Sequence, residues 1–352
     1  MKVLVIQQKM IGDVLTTSIL FEAIRLKYPK AELHYLINAA TRPVVEHHPF
    51  IDDYIILTTD IENSKVRFLK FITTVKKEKF DVIIDVYSKL SSNIISLFSG
   101  AKTKISYHKP FRTFIYTNTI EREKHTDSAI GLEITNRLRL LQPLGITVKS
   151  LKPKIYLTQK ELNKSLTYLK ENNLNLGSPI FMISVLGSSK EKTYPLPYMA
   201  TIINTIVEET NAQILFNYIP QQKDEARKAY DFCTPKTQSN IQFEVFGKNL
   251  REFLAITKQC TALIGNEGGA INMAKALDIP TFSIFAPWID KTGWNMFEDD
   301  DLYTSVHLKD LKPELFGDAI LKTLKKESKA FYDAFLPDYI IPKLKAYLTN
   351  FK

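Results

Sequence analysis

The sequence predicts an α/β protein built from two Rossmann-like domains whose parallel sheets face each other across a cleft. Three observations lead there. Short apolar strands alternate with helical patterns along most of the chain, which marks βαβ units and a parallel sheet. The alternation lapses once, at residues 147–153, and then resumes. A chain of 352 residues, 45% hydrophobic, is also long enough for two cores, at about 150 residues per domain.

The first domain opens with the stretch KVLVIQQKMIGDVLTT, residues 2–17. Residues 3–6 are an apolar strand that runs into a polar turn. Gly12 and Asp13 then enter a helix whose buried face, Val14, Leu15, Ile19, Leu20, Ala23, Ile24 and Leu26, recurs at helical spacing. Strands are expected at 33–37, 54–57, 82–86 and 103–107, and helices at 41–47, 66–79, 91–98 and 127–141. The run 82–86 is almost continuously apolar, as a parallel strand covered on both faces should be. Pro143 and Gly145 close the last helix.

The second alternation gives helices at 161–172, 197–210, 224–232, 250–258 and 270–277. Strands are expected at 180–185, 213–218, 262–264 and 281–285, with a short one at 242–246. The chain from 315 to 352 reads as a basic helical tail interrupted by Pro337 and Pro342. Its apolar residues, among them Phe331, Phe335, Ile340 and Leu344, suit packing back on the first domain or lying on an anionic surface.

Composition narrows the function. The net charge is +9, from 47 Lys and Arg against 38 Asp and Glu, which favours anionic partners such as nucleotide-sugars, phosphorylated glycolipids or nucleic acid. No zinc-finger, RNP or basic-zipper signature supports the last of these. Two cysteines, Cys233 and Cys260, are too few for a disulfide framework and have no metal-ligand company, so both are expected to be buried thiols. No apolar run reaches the length of about 18 residues that a spanning helix needs, and no signal-peptide pattern opens the chain, so a cytoplasmic location is expected.

Three strand-to-helix turns could carry chemistry, because open α/β sheets bind ligands beyond the carboxyl ends of their strands. In the first, Asp13 sits on the first helical turn, where the dipole holds a carboxylate but also lowers its pKa. Asp is equally a common N-cap. The second is the turn after strand 180–185, with Gly187, Ser188, Ser189 and Lys192: a small residue for close approach, hydroxyl donors and a cation suit a phosphate. The third runs Gly265, Asn266, Glu267, Gly268, Gly269, Ala270, Ile271 and Asn272, where the free N–H groups of a helix start can receive a diphosphate. Neither G-x-G-x-x-G after the first strand nor G-x-x-x-x-G-K-[ST] occurs, which argues against dinucleotide oxidoreductases and P-loop enzymes.

These residues resemble glycosyltransferase family 9, the lipopolysaccharide heptosyltransferases of GT-B fold. The start VIQQKMIGDVLTT is similar to the family's strand, Leu-Gly-Asp and helix. The turn from Gly187 through Lys192 to Pro195 is similar to its Pro-Gly-small and Lys-x-Trp-Pro segment. GNEGGAINMAKALDIP at 265–280, followed by Phe285, Ala286 and Pro287, resembles its Asn-Asp-[Ser/Thr]-Gly-Pro-x-His segment and Phe-Gly-Pro ending. The likeness extends from Val3 to about Trp288, with the motifs in matching order.

The resemblance implies inverting, metal-independent transfer of a heptose from a nucleotide-heptose, usually ADP-heptose, to a Kdo- or heptose-bearing lipid acceptor, with no cofactor. Asp13 matches the family's general base, with Gly12 beside it. Ser188, Ser189, Lys192, Glu267, Gly268, Gly269, Ala270 and Asn272 would bind the donor. Residues 1–150 would then be the acceptor-binding domain, 151–325 the nucleotide-sugar domain and 326–352 the tail. The enzyme would touch the inner face of the inner membrane peripherally and bind no nucleic acid. Glu267 stands where the family has Asp, Gly268 where it has Ser or Thr, and Asn272 where it has His, so another nucleotide-sugar donor is the alternative. A non-catalytic nucleotide- or glycan-binding protein on the same frame is the other. Lys9 and Met10 replace small polar residues, and Lys89, Lys102, Lys104, Lys109 and Arg112 could meet an anionic acceptor.

Overall fold

The computed structural model describes residues 1–125, 129–317 and 321–352. The chain divides into two compact units, Met1–Tyr156 with Thr292–Met296, and Leu157–Lys291 with Phe297–Lys352.

In the first unit the strands are β1 (Lys2–Ile6), β2 (Glu32–Asn38), β3 (Asp53–Leu57), β4 (Val82–Asp85), β5 (Thr103–Tyr107) and β6 (Asn118–Ile120). They form one parallel sheet in the order β3-β2-β1-β4-β5-β6. This is the doubly wound order, and it reverses between β1 and β4, so the loops leaving those two strands diverge and open a crevice at the carboxyl edge. Leu4, Ile6, Leu36, Leu57 and Ile83 are fully buried and pack with Ile72, Val75, Phe80 and Ile95 of the covering segments.

The second unit contains β7 (Ile180–Ser184), β8 (Gln213–Phe216), β9 (Ala262–Asn266), β10 (Thr281–Ile284) and β11 (Tyr303–Val306). Its sheet runs β11-β10-β9-β7-β8, again parallel, with the reversal between β7 and β9. The loops after β7 and β9 are the two glycine-bearing turns singled out in the sequence.

The tail belongs to this second unit. The helix Pro337–Leu348 buries Ile340, Leu344, Tyr347 and Leu348 and packs on the helix Leu196–Thr210. Tyr347 meets Phe282, Phe351 meets Phe181, and Lys345 and Lys352 both pair with Glu209. Tyr194 donates its hydroxyl to the Phe335 carbonyl at 2.6 Å. The tail's apolar stripe thus finds its cover on the unit from which it emerges. Pro337 starts the helix, where a missing N–H costs nothing, and Pro342 is carried inside it. Residues 318–320 of the expected tail lie outside the described residues.

Several local expectations change. The first helix is split at Ser18 into Ile11–Thr17 and Ile19–Lys27, the Ser18 hydroxyl donating to the Leu15 carbonyl at 2.8 Å. The segment expected as a helix at 41–47 is a 3-10 helix, Ala39–Val44, that contains Pro43. Residues 242–246 form no strand: only Ile241 bridges to Ile214, while Phe243 stacks on Tyr218. Phe243 and Val245 are buried without belonging to a strand. The helix expected at 127–141 is Leu132–Arg139 followed by a 3-10 turn, and residues 127 and 128 lie outside the described residues. The edge strands β6 and β11 were not anticipated, being short and flanked by charge. Cys233 and Cys260 are both buried free thiols. No helix among the described residues is long and apolar enough to cross a membrane.

Gly265 shows how tightly the second sheet closes. It holds φ of 131°, and a Cβ there would lie 2.5 Å from the Ser184 carbonyl oxygen of the neighbouring β7. Gly265→Ala should therefore lower stability by about 3 kcal/mol or more, from overpacking and backbone strain together. A fall in the urea midpoint with the slope unchanged is the expected result.

Candidate functional site

In the first unit, β1 delivers the chain to the carboxyl edge at Gln7 and Gln8, and Met10, at φ of 66°, turns it into the helix Ile11–Thr17. Gly12 and Asp13 are the second and third residues of that helix. Met10 occupies the cap position and no side chain caps the helix, so the N-cap reading of Asp13 does not hold. The carboxylate is engaged elsewhere, by Arg137 from the helix Leu132–Arg139 at 2.6 Å.

Arg137 is only 3% exposed and reaches in three directions. Its Nη2 donates to Asp13 Oδ1, its Nε to Thr17 Oγ1 at 3.0 Å, and its Nη1 to both the carbonyl and the carboxylate of Glu133. Arg122 pairs with the other oxygen of Glu133 and lies over the Tyr107 ring, 4.4 Å from its centroid. The charges alternate from Asp13 to Arg137, Glu133 and Arg122, so each buried group has an opposite neighbour.

This arrangement sets the proton affinity of Asp13. Burial raises its pKa, Arg137 opposes that, and Glu133 adds to the rise; the net direction is upward from 3.8. The lowering expected from the helix dipole is thus outweighed. Burial also pushes Glu133 up, but Arg137 and Arg122 together bring it below 4.5. Arg137 spends much of its field on Glu133 and so stabilises Asp13 only in part. A carboxylate with a quarter of its side chain accessible and a raised proton affinity can act as a base.

In the second unit the turn after β7 is held by backbone proximity. A Cβ on Gly187 would fall 2.3 Å from the Lys192 carbonyl oxygen, so only glycine fits. Its N–H donates to Thr193 Oγ1 at 3.0 Å and its carbonyl accepts from Gln222. Ser188 and Ser189 are exposed at the tip, ahead of the 3-10 turn Lys190–Lys192. The turn after β9 begins at Asn266, which is 1% exposed. Its Oδ1 accepts from the Tyr194 N–H at 2.7 Å and its Nδ2 donates to the carbonyls of Ser184 and Val185. One amide thereby ties the end of β9 to both ends of the loop that follows β7.

That clamp brings Lys192 to Glu267, Nζ to Oε1 at 3.1 Å. Lys192 also lies 5.5 Å from the centre of the Trp288 ring, whose Nε1 donates to the Glu191 carbonyl at 2.7 Å. Glu267 is almost buried, and its N–H is used by the Ile284 carbonyl. Gly268, at φ of 145°, then starts the helix Gly269–Ala276, with open space beside Gly268 and the Met273 methyl 3.9 Å from where a Cβ on Gly269 would lie. The first-turn N–H groups of Gly269, Ala270 and Ile271 have no carbonyl of their own helix to bond. Asn272 is half-buried, one residue past them, its N–H returning to the Gly268 carbonyl.

The second unit therefore gathers Lys192, Glu267, Gly268, Gly269 and Ala270 at one sheet edge, with Ser188 and Ser189 on the loop leading in. Sequence reasoning assigned no role of their own to Arg137, Glu133, Asn266 and Trp288. The spacing of Glu133 and Arg137, four apart on an expected helix, signalled an ion pair but not its third member. Asn266 was visible only as a polar residue ending an apolar strand.

The family model of glycosyltransferase family 9 (heptosyltransferase) matches residues 68–302. The chain is 22% identical over 294 residues to lipopolysaccharide heptosyltransferase 1 of Campylobacter coli, covering 81% of this chain and 84% of that one. Among solved structures it is similar to a glycosyl transferase family 9 protein from Veillonella parvula, with a TM-score of 0.76, 16% identity, and 94% and 97% of the two chains covered. It is also similar to an E. coli heptosyltransferase solved with ADP-2-deoxy-2-fluoro heptose, with a TM-score of 0.63, 14% identity, and 91% and 100% covered. These likenesses establish the GT-B fold. With the family model spanning more than half of its length, the chain belongs to glycosyltransferase family 9, the heptosyltransferase family.

Proposed function

We propose that the protein transfers a heptose from a nucleotide-heptose, ADP-heptose, to a lipopolysaccharide core or lipid A-Kdo acceptor, with inversion and without a metal ion or other cofactor. The observation that carries this reading is Asp13, held in place by Arg137 yet raised in proton affinity and still accessible. The solved relative that holds ADP-2-deoxy-2-fluoro heptose supports the choice of donor. The acceptor would place the work at the cytoplasmic face of the inner membrane.

In this mechanism Asp13 takes the proton of the acceptor hydroxyl as its oxygen bonds to the anomeric carbon. The bond from that carbon to the diphosphate breaks on the opposite side, so the configuration inverts. The departing negative charge is met by Lys192 and by the N–H groups of Gly269, Ala270 and Ile271, with Gly268 leaving room for approach and Ser188 and Ser189 donating hydroxyls. These fixed positive groups do the work a cation would otherwise do. Glu267 orients Lys192 and, with Asn272, meets the donor sugar. Both differ from the residues expected at those positions, as does Gly268, which is why another nucleotide-sugar is the competing donor.

Three outcomes check the reading. Asp13→Ala should lower kcat by about 10²- to 10⁴-fold, while ADP still raises the melting temperature. In a panel of ADP, UDP, GDP and CMP, the true donor's nucleotide gives the largest rise, since a ligand that binds only the folded state stabilises it. A response to CMP alone would overturn the proposal.

Lys192→Ala should weaken ADP binding by about tenfold or more, the scale of a lost charge-assisted hydrogen bond. Part of that loss comes from a buried Glu267 carboxylate left facing the diphosphate. Lys192→Ala combined with Glu267→Gln should therefore recover some affinity in the same titration.

The pH profile tests the Arg137 network. Catalysis needs the Asp13 carboxylate, so activity falls as pH drops through its raised pKa. Glu133→Gln removes a negative neighbour and should move the acid limb to lower pH. Arg137→Met removes the positive one and should move it to higher pH, at a cost in stability of about 3 kcal/mol. Unmoved limbs in both variants would dissociate Asp13 from the rate.

A further inference from the structure

The segment from Val86 to Ile120 contains Lys89, Lys102, Lys104, Lys109 and Arg112 and not one Asp or Glu. In a chain with 38 acidic residues, a stretch of that length with a single sign of charge is a local feature of the surface. It also exposes its largest apolar side chains. Phe111 is 93% exposed, Phe114 78% and Leu90 71%.

The fold places these groups together. Phe111 and Phe114 lie on the 3-10 helix Pro110–Ile115. With three residues per turn, side chains three apart project from the same side, so the two rings stand out as a pair. The other side of the turn is anchored. Lys109 Nζ and Arg112 Nη1 both donate to the Ser88 carbonyl, at 2.7 and 2.9 Å, next to Lys89 and Leu90. Ile115 and Tyr116 are buried behind, the Tyr116 hydroxyl donating to the buried Asp85 at 2.6 Å. The Phe pair is thus carried on a fixed base, flanked by an ammonium and a guanidinium whose shared acceptor is a neutral carbonyl. Burial and the neighbouring Arg112 and Lys89 charges lower the pKa of Lys109 against the opposing pull of the buried Asp85.

Paired aromatic rings displayed beside cations that donate to a neutral carbonyl match one kind of surface, in which an apolar interior lies just beneath a layer of negative charge. We propose that Phe111, Phe114 and Leu90, with Lys89, Lys109 and Arg112 around them, dock the first unit on an anionic phospholipid bilayer, the rings entering the headgroup boundary. This deepens the reading above and rests on it in one respect, that a lipid-borne acceptor requires the enzyme at a bilayer.

The test needs no turnover. The full-length protein is sedimented with vesicles of phosphatidylcholine alone or of phosphatidylcholine and phosphatidylglycerol at 7:3. Binding is expected to the anionic vesicles, lost in 0.5 M NaCl, and reduced at least tenfold in the double variant Phe111→Ser, Phe114→Ser. Both rings are exposed, so the variant should keep its melting temperature. A wild type that ignores anionic vesicles, or a folded variant that binds them equally well, overturns the proposal. A separate arm measures transfer to a deacylated, water-soluble acceptor. Unchanged kcat and KM in the variant support docking, whereas a raised KM there assigns the rings to the acceptor site and overturns it. Vesicle binding with no transfer at all would instead sink the proposed reaction while leaving the docking surface standing.

Discussion

Parallel strands cannot be joined by tight hairpins, and this constraint organises both units. Each strand must return through a crossover, so every strand ends at the same edge and every loop that follows it gathers there. Where strand order reverses, adjacent loops leave in opposite directions and nothing covers the backbone between them. The reversal lies between β1 and β4 in the first unit and between β7 and β9 in the second. Asp13 follows β1, and the Lys192 and Glu267 loops follow β7 and β9. The positions of the candidate groups are consequences of topology before they are consequences of chemistry.

Both crevices are then stiffened by a single buried polar side chain. In the first it is Arg137, which binds Asp13, Thr17 and Glu133 at once. In the second it is Asn266, which joins three backbone groups of the Ser184–Tyr194 connection. A buried guanidinium or amide is costly unless every polar group finds a partner, and that requirement fixes the loops around it. The same need explains Glu133, which accepts from the guanidinium nitrogen that does not bond Asp13, and Arg122, which pairs with Glu133 in turn.

Membership of glycosyltransferase family 9 makes the protein a glycosyltransferase of GT-B fold. The Lys192–Glu267 pair gives the proposed donor site its particular character. A lysine already neutralised by a buried carboxylate offers less net charge to a diphosphate than a free one, so in the proposed reaction the helix N-terminus at Gly268 and Gly269 would carry more of the leaving group's charge. Trp288 and its contact with Lys192 add an aromatic wall that the sequence motifs did not include.

The parallel α/β architecture was legible from the amino-acid pattern alone, because strands covered on both faces must be apolar throughout and their helices must be amphipathic. That pattern also located all three turns, since glycine, small hydroxyl residues and lysine after a strand leave a local signature. It failed where a side chain's partner is distant in the chain. The pairing of Asp13 with Arg137 spans 124 residues, and the clamp from Asn266 to Ser184 spans 82. The opening stretch alone allowed Asp13 to be an N-cap of lowered pKa. Tertiary structure decided otherwise, by burying it beside an arginine whose charge is divided between two carboxylates. It likewise decided the fate of the tail, whose apolar stripe was legible but whose cover, the helix Leu196–Thr210, was not. Local periodicity records which face of an element must be hidden, and only the folded chain supplies what hides it.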